Sequence, residues 1–237
     1  MTVLDNIKSG LIVSCQALPD EPLHSSFIMS RMAIAAIQGG AVGIRANSVA
    51  DIQAIKSVCS KPVIGIIKQE YADSAVFITA TLNEVEALSH TGCEIIALDA
   101  TCRPRPGGTT LAQLVKEIRH RYPQLLLMAD CSTEEEALAA DHLGFDLIGT
   151  TLVGYTAESA HRALHENDFA LLKTIIAAVK APVIAEGNIN TPEMARRAYE
   201  LGAHAVVVGS MITRPQLITQ RFVASLQNAN VSEHPGY

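Results

Sequence analysis

The chain of 237 residues has few aromatic side chains (4%), few charged ones (18%) and no excess of basic residues. Lysine and arginine number 18 against 24 aspartates and glutamates, so the net charge is −6 and no overall positive field is available to hold a nucleic acid. The apolar runs fall short of the ~20 residues that a membrane helix needs, and the N-terminus lacks the apolar segment of a signal peptide. We therefore expect no nucleic-acid partner, no membrane partner and a cytoplasmic location.

The sequence also lacks the cysteine patterns that hold metals or staple small domains. Its five cysteines form no C-x-x-C pair and no cluster with histidine, which predicts reduced thiols. His161 and His165 have the i, i+4 spacing of one helix face, but no glutamate of a metalloprotease motif stands between them. We expect these two histidines on a solvated helix face, and no metal site.

Hydrophobic residues make up 49% of the chain and are concentrated in eight short runs. Each run is apolar almost throughout, as expected for a parallel strand covered on both faces, and amphipathic helical stretches separate the runs. The predicted strands are residues 11–16, 41–45, 63–68, 95–99, 125–130, 147–151, 183–187 and 205–209.

The residues that precede the strands alternate in type along the chain. A glycine suited to a left-handed helix cap precedes strands 2, 4, 6 and 8, whereas a proline precedes strands 3, 5 and 7. The repeating unit is thus two strands and two helices, and four such units predict an α/β protein with a single (β/α)8 TIM barrel over residues 1–237. Residues 231–237 are expected to fray. The alternating residues are Gly40, Gly92, Gly144 and Gly202 on one side and Pro62, Pro123 and Pro182 on the other.

Three helix starts carry recognisable capping signals. Two fit the capping box, in which a hydroxyl side chain and a glutamate three residues later satisfy the free backbone N–H groups. The third fits an N-cap followed by proline at the first helical position. The three pairs are Thr81 with Glu84, Ser132 with Glu135, and Thr191 with Pro192.

The last residues of the predicted strands are the candidates for function, because a TIM barrel carries its active site at the carboxyl ends of its strands. A single polar strand end is usually only the beginning of a loop. Here seven of eight are polar or charged, which predicts a polar concavity on one rim. The eight strand ends are Gln16, Arg45, Lys68, Asp99, Asp130, Thr151, Glu186 and Gly209.

The loops after strands 7 and 8 have the composition of a phosphate site. Gly187 with Asn188, and Gly209 with Ser210, follow these strands, where TIM barrels frequently bind phosphate through backbone N–H groups. Glycine there lets the backbone approach a ligand closely. Arg214, a few residues further on, could reach the substrate or cap the last helix at the surface.

Lys68 is the most informative single residue. Burial at the end of an apolar strand and a neighbouring Arg45 would both lower the pKa of its amine, which could then act as a general base or as a Schiff-base nucleophile. Glu186 should lie roughly across the barrel, so the two groups could bracket a sugar from different sides. The alternative is a merely structural ion pair of Lys68 with Asp99 or Glu186.

Several sequence blocks resemble the N-acetylmannosamine-6-phosphate 2-epimerase family over nearly the whole chain. They include GLIVSCQALPDEPL at 10–23, GGAVGIRAN at 39–47, PVIGIIKQEY at 62–71, TTLVGYT at 150–156, PVIAEGNINTPE at 182–193 and VVVGSMITRP at 206–215. The resemblance implies a cofactor-independent isomerase of amino-sugar and sialic acid catabolism that converts N-acetylmannosamine 6-phosphate to N-acetylglucosamine 6-phosphate. It also implies a catalytic Lys68 and Glu186, with substrate contacts at Gln16, Arg45, Asp130 and Arg214.

Two other functions remain compatible with the residues. One is a Schiff-base lyase or aldolase that uses Lys68 as its nucleophile, since barrels of this kind host both chemistries. The other is a catalytically silent regulator that binds a sugar phosphate, although the retention of both Lys68 and Glu186 argues against it. The aliphatic last helix, residues 217–226, could close the barrel or meet a second subunit, so a homodimer is an open expectation.

Overall fold

Eight parallel strands pair in sequence order and close into a barrel, because β1 is hydrogen-bonded to β8 as well as to β2. The computed structural model describes the backbone of residues 1–232 and the side chains of residues 1–227. The predicted TIM barrel is confirmed. The strands are β1 (Leu11–Cys15), β2 (Gly43–Asn47), β3 (Val63–Ile66), β4 (Ile95–Asp99), β5 (Leu126–Asp130), β6 (Leu147–Gly149), β7 (Val183–Ala185) and β8 (Ala205–Val208).

Helices surround the barrel, and the short first helix lies at its amino-terminal end, where Ile7 joins the apolar interior. No helix in the described part of the chain is long and apolar enough to cross a membrane. The last helix is followed to Ser232, and the rest of the predicted frayed tail lies outside the described residues. The helices are α1 (Val3–Ile7), α2 (Ser26–Gln38), α3 (Val49–Lys56), α4 (Leu82–Ser89), α5 (Leu111–Arg121), α6 (Glu134–His142), α7 (Glu166–Ala178), α8 (Pro192–Glu200), α9 (Ser210–Thr213) and α10 (Pro215–Ser232).

Alternating strand residues supply two separate apolar cores. Residues at one parity, such as Ile12, Ile64 and Val207, pack inside the barrel, whereas their neighbours Val13, Val63 and Val206 pack between the strands and the helices. This alternation follows from the two-residue period of a strand. Every second side chain of a strand therefore points towards the barrel axis, and the last of these side chains lies at the carboxyl-terminal rim.

Only β4 has the predicted bounds; the other seven strands differ from the predicted ranges by one or two residues, so Thr151 and Glu186 lie just beyond β6 and β7. The second strand runs over Gly43–Asn47 rather than over residues 41–45, so Arg45 lies in mid-strand instead of at the strand end. The third strand ends at Ile66, and Lys68 lies two residues beyond it, where it forms an isolated antiparallel bridge with Ile78. Arg45 and Lys68 still face the inside of the barrel, because a shift of two residues keeps a side chain on the same face of a strand.

The capping signals are mostly confirmed. Thr81 with Glu84 forms a capping box, and Thr191 caps the helix that begins with Pro192. The pair Ser132 and Glu135 is wrong by one residue: the capping box is made by Thr133 and Glu136. Ser132 still lies in the preceding turn, where its hydroxyl and its N–H both donate to the Glu136 carboxylate.

The four predicted glycine caps are confirmed, because each has a positive φ, between 80° and 103°. The predicted helix face of His161 and His165 is wrong. Both side chains are exposed, but His161 lies in a turn-rich loop with a φ of 64°, and His165 is the N-cap residue of α7. A left-handed residue cannot continue a right-handed helix, so the i, i+4 spacing here has no helical meaning.

Adjacent glycines after α2 allow a test of the cap. Gly40 has a φ of 98°, and no atom lies within 4 Å of the place that a Cβ would occupy, so Gly40→Ala should lower the free energy of unfolding by about 1 kcal/mol through backbone strain alone. Gly39, at φ −75°, is the matched control, and Gly39→Ala should change stability by less than about 0.5 kcal/mol. Urea denaturation measures both, and equal losses would contradict this assignment.

Candidate active site

A cavity of about 290 Å³ opens at the carboxyl ends of the strands. Nine of the ten residues predicted for the site line it, and the tenth, Asp130, lies beneath its floor. The cavity is therefore where the sequence predicts it, and strand parity explains why these side chains converge. The nine lining residues are Gln16, Arg45, Lys68, Glu186, Gly187, Asn188, Gly209, Ser210 and Arg214.

Arg45 is the central charged group of the cavity floor. Only 1% of its side chain is exposed, and its guanidinium donates to Asp130 at 2.6 and 3.0 Å and to Glu186 at 3.0 Å. Burial alone would lower the pKa of Arg45, but the two carboxylates outweigh burial and raise it. Arg45 therefore stays cationic and ties strands β2, β5 and β7 together.

Asp130, which is predicted as a substrate contact, lies deeper than the residues that line the cavity. Its side chain has no exposure and is not part of the cavity lining. Both carboxylate oxygens accept from Arg45, and one also accepts from the Thr151 hydroxyl at 2.6 Å. Asp130 is thus placed to orient the residues above it, because the last inward position of β5 lies one layer deeper than the loop residues that line the cavity.

Glu186 is fixed at its backbone and on one side of its carboxylate. The Thr150 hydroxyl bonds both the carbonyl and the N–H of Glu186, at 2.7 and 3.0 Å. Oε2 of Glu186 accepts from Arg45 and lies 3.2 Å from the Thr151 hydroxyl, whereas Oε1 accepts from no group among the described residues. Burial raises the pKa of Glu186, with the Asp130 charge acting in the same direction. Oε1 is available to a ligand.

Lys68 faces the cavity from the start of a hairpin, residues 67–79, that follows β3. The Asn47 side chain at the end of β2 accepts the Lys68 backbone N–H at 2.8 Å and so anchors the start of this hairpin. Among the described residues no carboxylate lies within 4.0 Å of the Lys68 amine, so the alternative of a structural ion pair is wrong. Burial, and then the charges of Arg45 and Arg214, lower the pKa of Lys68 to about 8.

Asp99 is the last residue of β4, but it does not line the cavity. Its carboxylate accepts from the side chains of Thr101 and Arg103. Arg105, which is 3% exposed, donates to the backbone carbonyls of Thr79, Ala80 and Asp99. These arginines hold the loops after β3 and β4, and neither is among the cavity-lining residues.

Two glycines shape the predicted anion site. Gly187 has a φ of 121°, and an added Cβ would lie 3.1 Å from the Thr150 carbonyl. Gly209 has a negative φ, but a Cβ there would come within 3.3 Å of the Ser14 side chain. Gly209 is followed directly by α9, whose first N–H groups have no partner within the helix. Asn188 accepts a hydrogen bond from the exposed Tyr155 at the cavity mouth.

Arg214 points inward rather than capping a helix at the surface. Its NH1 donates to the Ser210 hydroxyl at 3.0 Å, and its NH2 donates to Glu21 at 3.0 Å.

Sequence reasoning missed Glu21, because it lies in the long loop after β1 and has no strand-end position. Sequence reasoning also assigned no role to Thr151, although Thr151 continues the inward-facing positions of β6 and so lies beside Glu186. Gln16 donates to Ser14, and its Oε1 is buried without a partner among the described residues.

A TIM barrel that holds a lysine of lowered pKa and a buried glutamate at the carboxyl ends of its strands has the equipment of an enzyme that moves protons. The family profile described as "Putative N-acetylmannosamine-6-phosphate epimerase" matches residues 29–228. The chain belongs to this family, whose members are isomerases.

Individual relatives agree with the family match. The "Putative N-acetylmannosamine-6-phosphate 2-epimerase" of Enterobacter sp. (strain 638) is 63% identical over 95% of this chain and 96% of its own length. The protein of the same name from Shouchella clausii is 60% identical over 95% and 99%. The solved N-acetylmannosamine-6-phosphate 2-epimerase from Clostridium perfringens has a TM-score of 0.89 and 54% identity, covering 94% of this chain and 96% of that one.

Removal of the Asp130 charge should destabilise the protein strongly. Asp130→Asn leaves the Arg45 guanidinium with a single carboxylate inside the barrel, and breaking a buried pair of this kind costs about 3 kcal/mol. Asp168→Asn is the control, since Asp168 pairs with Arg197 at 2.7 Å on the exposed surface and should contribute little. Chemical denaturation at low and high salt measures both, and equal losses for the two variants would contradict the proposed importance of Asp130.

Proposed function

We propose that the protein interconverts N-acetylmannosamine 6-phosphate and N-acetylglucosamine 6-phosphate by proton transfer at C2 of the open-chain sugar. The observation that carries this proposal is the Lys68 amine, which faces the cavity without a counter-ion in the described part of the chain and has a pKa lowered to about 8. A base of this strength exists partly in its neutral form at physiological pH, with about a tenth deprotonated at pH 7.

The chemical step requires a base and a stabilised oxyanion. The Lys68 amine takes the proton from C2, and the electrons of the C–H bond move to form a C1–C2 double bond while the aldehyde oxygen becomes an enolate. Arg45 in the cavity floor and Arg214 at the cavity are assigned to stabilise this negative charge or to hold the substrate. Return of a proton to the opposite face of C2 gives the epimer. Glu186 serves as the second acid/base group through its Oε1, which has no partner within residues 1–227.

The phosphate of the sugar is assigned to the glycine loops. Gly187 and Asn188 after β7, with Gly209 and Ser210 after β8, would present backbone N–H groups, and Arg214 would add a charged donor. Gln16, whose Oε1 is buried without a partner in the part of the chain that the structure describes, is assigned to a sugar hydroxyl. Independence from cofactors, cytoplasmic location and a homodimer stay predictions.

Proton NMR of N-acetylmannosamine 6-phosphate with the purified protein and no added metal tests the activity directly. In deuterated water the product should carry deuterium at C2, because the proton removed by the base exchanges with solvent. An absence of label at C2 in both epimers would contradict proton transfer at this carbon. Borohydride trapping of a covalent adduct on Lys68 would favour the lyase instead.

Loss of the lysine amine should abolish the proton transfer. Lys68→Met keeps the approximate length of the side chain but removes the base, so kcat should fall by about 10³. Lys61→Met is the control, since Lys61 is an exposed lysine just before the same strand. Turnover is measured by NMR and folding by thermal unfolding. A Lys68→Met protein that folds and retains full activity would overturn the role of Lys68.

The pH dependence should report the Lys68 amine. Because the base must be neutral, kcat/KM should rise with pH and level off above about 8, the pKa of Lys68. The Arg214 charge lowers this pKa, so Arg214→Met should raise it and move the ascending limb to higher pH. Arg31→Met, on the outer helix α2, is the control and should leave the limb in place. An ascending limb that is the same in all three proteins would contradict this assignment.

A further inference from the structure

Glu21 lies in the loop between β1 and α2, and its carboxylate reaches Arg214, which follows the neighbouring strand β8 and lines the cavity. Oε2 accepts the backbone N–H of Leu18 at 2.6 Å and the NH2 group of Arg214 at 3.0 Å. Oε1 accepts from Gln216 at 3.0 Å and lies 2.6 Å from Nε of Arg214, an ion-pair contact without hydrogen-bond alignment. Both oxygens are thus occupied by the protein itself, so Glu21 does not contact the substrate.

This contact determines which part of Arg214 faces the cavity. Glu21 binds the guanidinium along its Nε and NH2 side, which leaves NH1 turned towards the Ser210 hydroxyl. Ser210 begins α9 directly after Gly209, where the predicted anion site lies. Because a guanidinium is planar and rigid, fixing one edge also fixes the direction of the other N–H groups.

The Glu21 carboxylate both anchors the loop after β1 and partly neutralises the Arg214 charge. Leu18, whose N–H Glu21 binds, lines the cavity mouth, so one carboxylate ties this loop to Arg214. Burial would raise the pKa of Glu21, but the hydrogen bonds from Arg214 and Leu18 outweigh it and lower the pKa. Glu21 is therefore anionic at neutral pH and partly neutralises the Arg214 charge.

We propose that Glu21 is a positioning residue, which aims Arg214 at the phosphate of the substrate and ties the loop after β1 over the cavity. This inference rests on the proposed function only in the identity of the ligand. The ligand chemistry it predicts is a phosphate group, whose affinity can be measured without any turnover.

The test compares Glu21→Gln with Asp20→Asn. Asp20 is an exposed carboxylate in the same loop with no side-chain partner among the described residues, so its variant removes the same charge without the contact. Inorganic phosphate is titrated by calorimetry, and KM and kcat are measured by NMR. Glu21→Gln should weaken phosphate binding and raise KM by about tenfold, the loss expected for one charge-assisted contact, with kcat within about threefold.

A second readout separates positioning from a general structural role. Lys68 is surrounded by the charges of Arg45, Arg214, Glu186 and Asp130. Loss of the Glu21 charge leaves Arg214 less compensated, so the ascending limb of kcat/KM should move to lower pH in Glu21→Gln, whereas Glu21→Asp should keep the wild-type limb.

A double-mutant cycle tests whether Glu21 acts through Arg214. In an Arg214→Ala background, Glu21→Gln should not weaken phosphate binding further. Additive losses, or a Glu21→Gln protein that binds phosphate as Asp20→Asn does, would overturn the proposal. A wild-type protein that binds phosphate without epimerising the sugar would contradict the proposed function alone and leave the role of Glu21 to be decided by calorimetry.

Discussion

An arginine inside the barrel is the constraint on which the rest of the site depends. The Arg45 side chain is 1% exposed, and an unpaired charge at such a depth would cost several kcal/mol. Asp130 and Glu186 must therefore approach it from β5 and β7. Neutralising one guanidinium thus holds the glutamate that we assign to catalysis, which directly follows β7, against residues of the rigid strands β2 and β5.

The charges of the cluster of Arg45, Asp130 and Glu186 also shift the pKa values of Glu186 and Lys68. Two carboxylates share one guanidinium and the Thr151 hydroxyl, so the pair carries more negative charge than its partners neutralise. This repulsion and burial raise the pKa of Glu186, whereas burial and the Arg45 charge lower that of Lys68. The acid and the base are thereby brought closer in strength, which suits a reaction in which a proton leaves and returns to one carbon.

The sequence predicts the barrel and most of the cavity because both depend on local periodicity. Short apolar runs preceded alternately by glycine and proline predict eight strands, and the two-residue period of a strand then places Lys68 and Glu186 on the inner face even where a boundary is wrong. Depth is not encoded in this way: Asp130 and Glu186 are both predicted strand ends, but only the structure shows that Asp130 is level with Ile184 of β7 and lies deeper than the cavity-lining Glu186. Glu21 could not be found, because a loop residue has no period and its partner lies 193 positions away.

The division of charges around the cavity explains why the lysine is the reactive cation. Among the described residues, Arg45 is paired with two carboxylates and Arg214 with Glu21, whereas Lys68 has no ion-pair partner. A guanidinium keeps its proton in any such environment, so pairing stabilises it without changing its state. An ammonium that lies near two cations and has no ion-pair partner loses its proton more readily than either guanidinium. Burial is the largest cause of the lowered pKa of Lys68, and the charges of Arg45 and Arg214 lower it further although those of Glu186 and Asp130 oppose them, so Lys68 is the one of the three cations that can lose its proton.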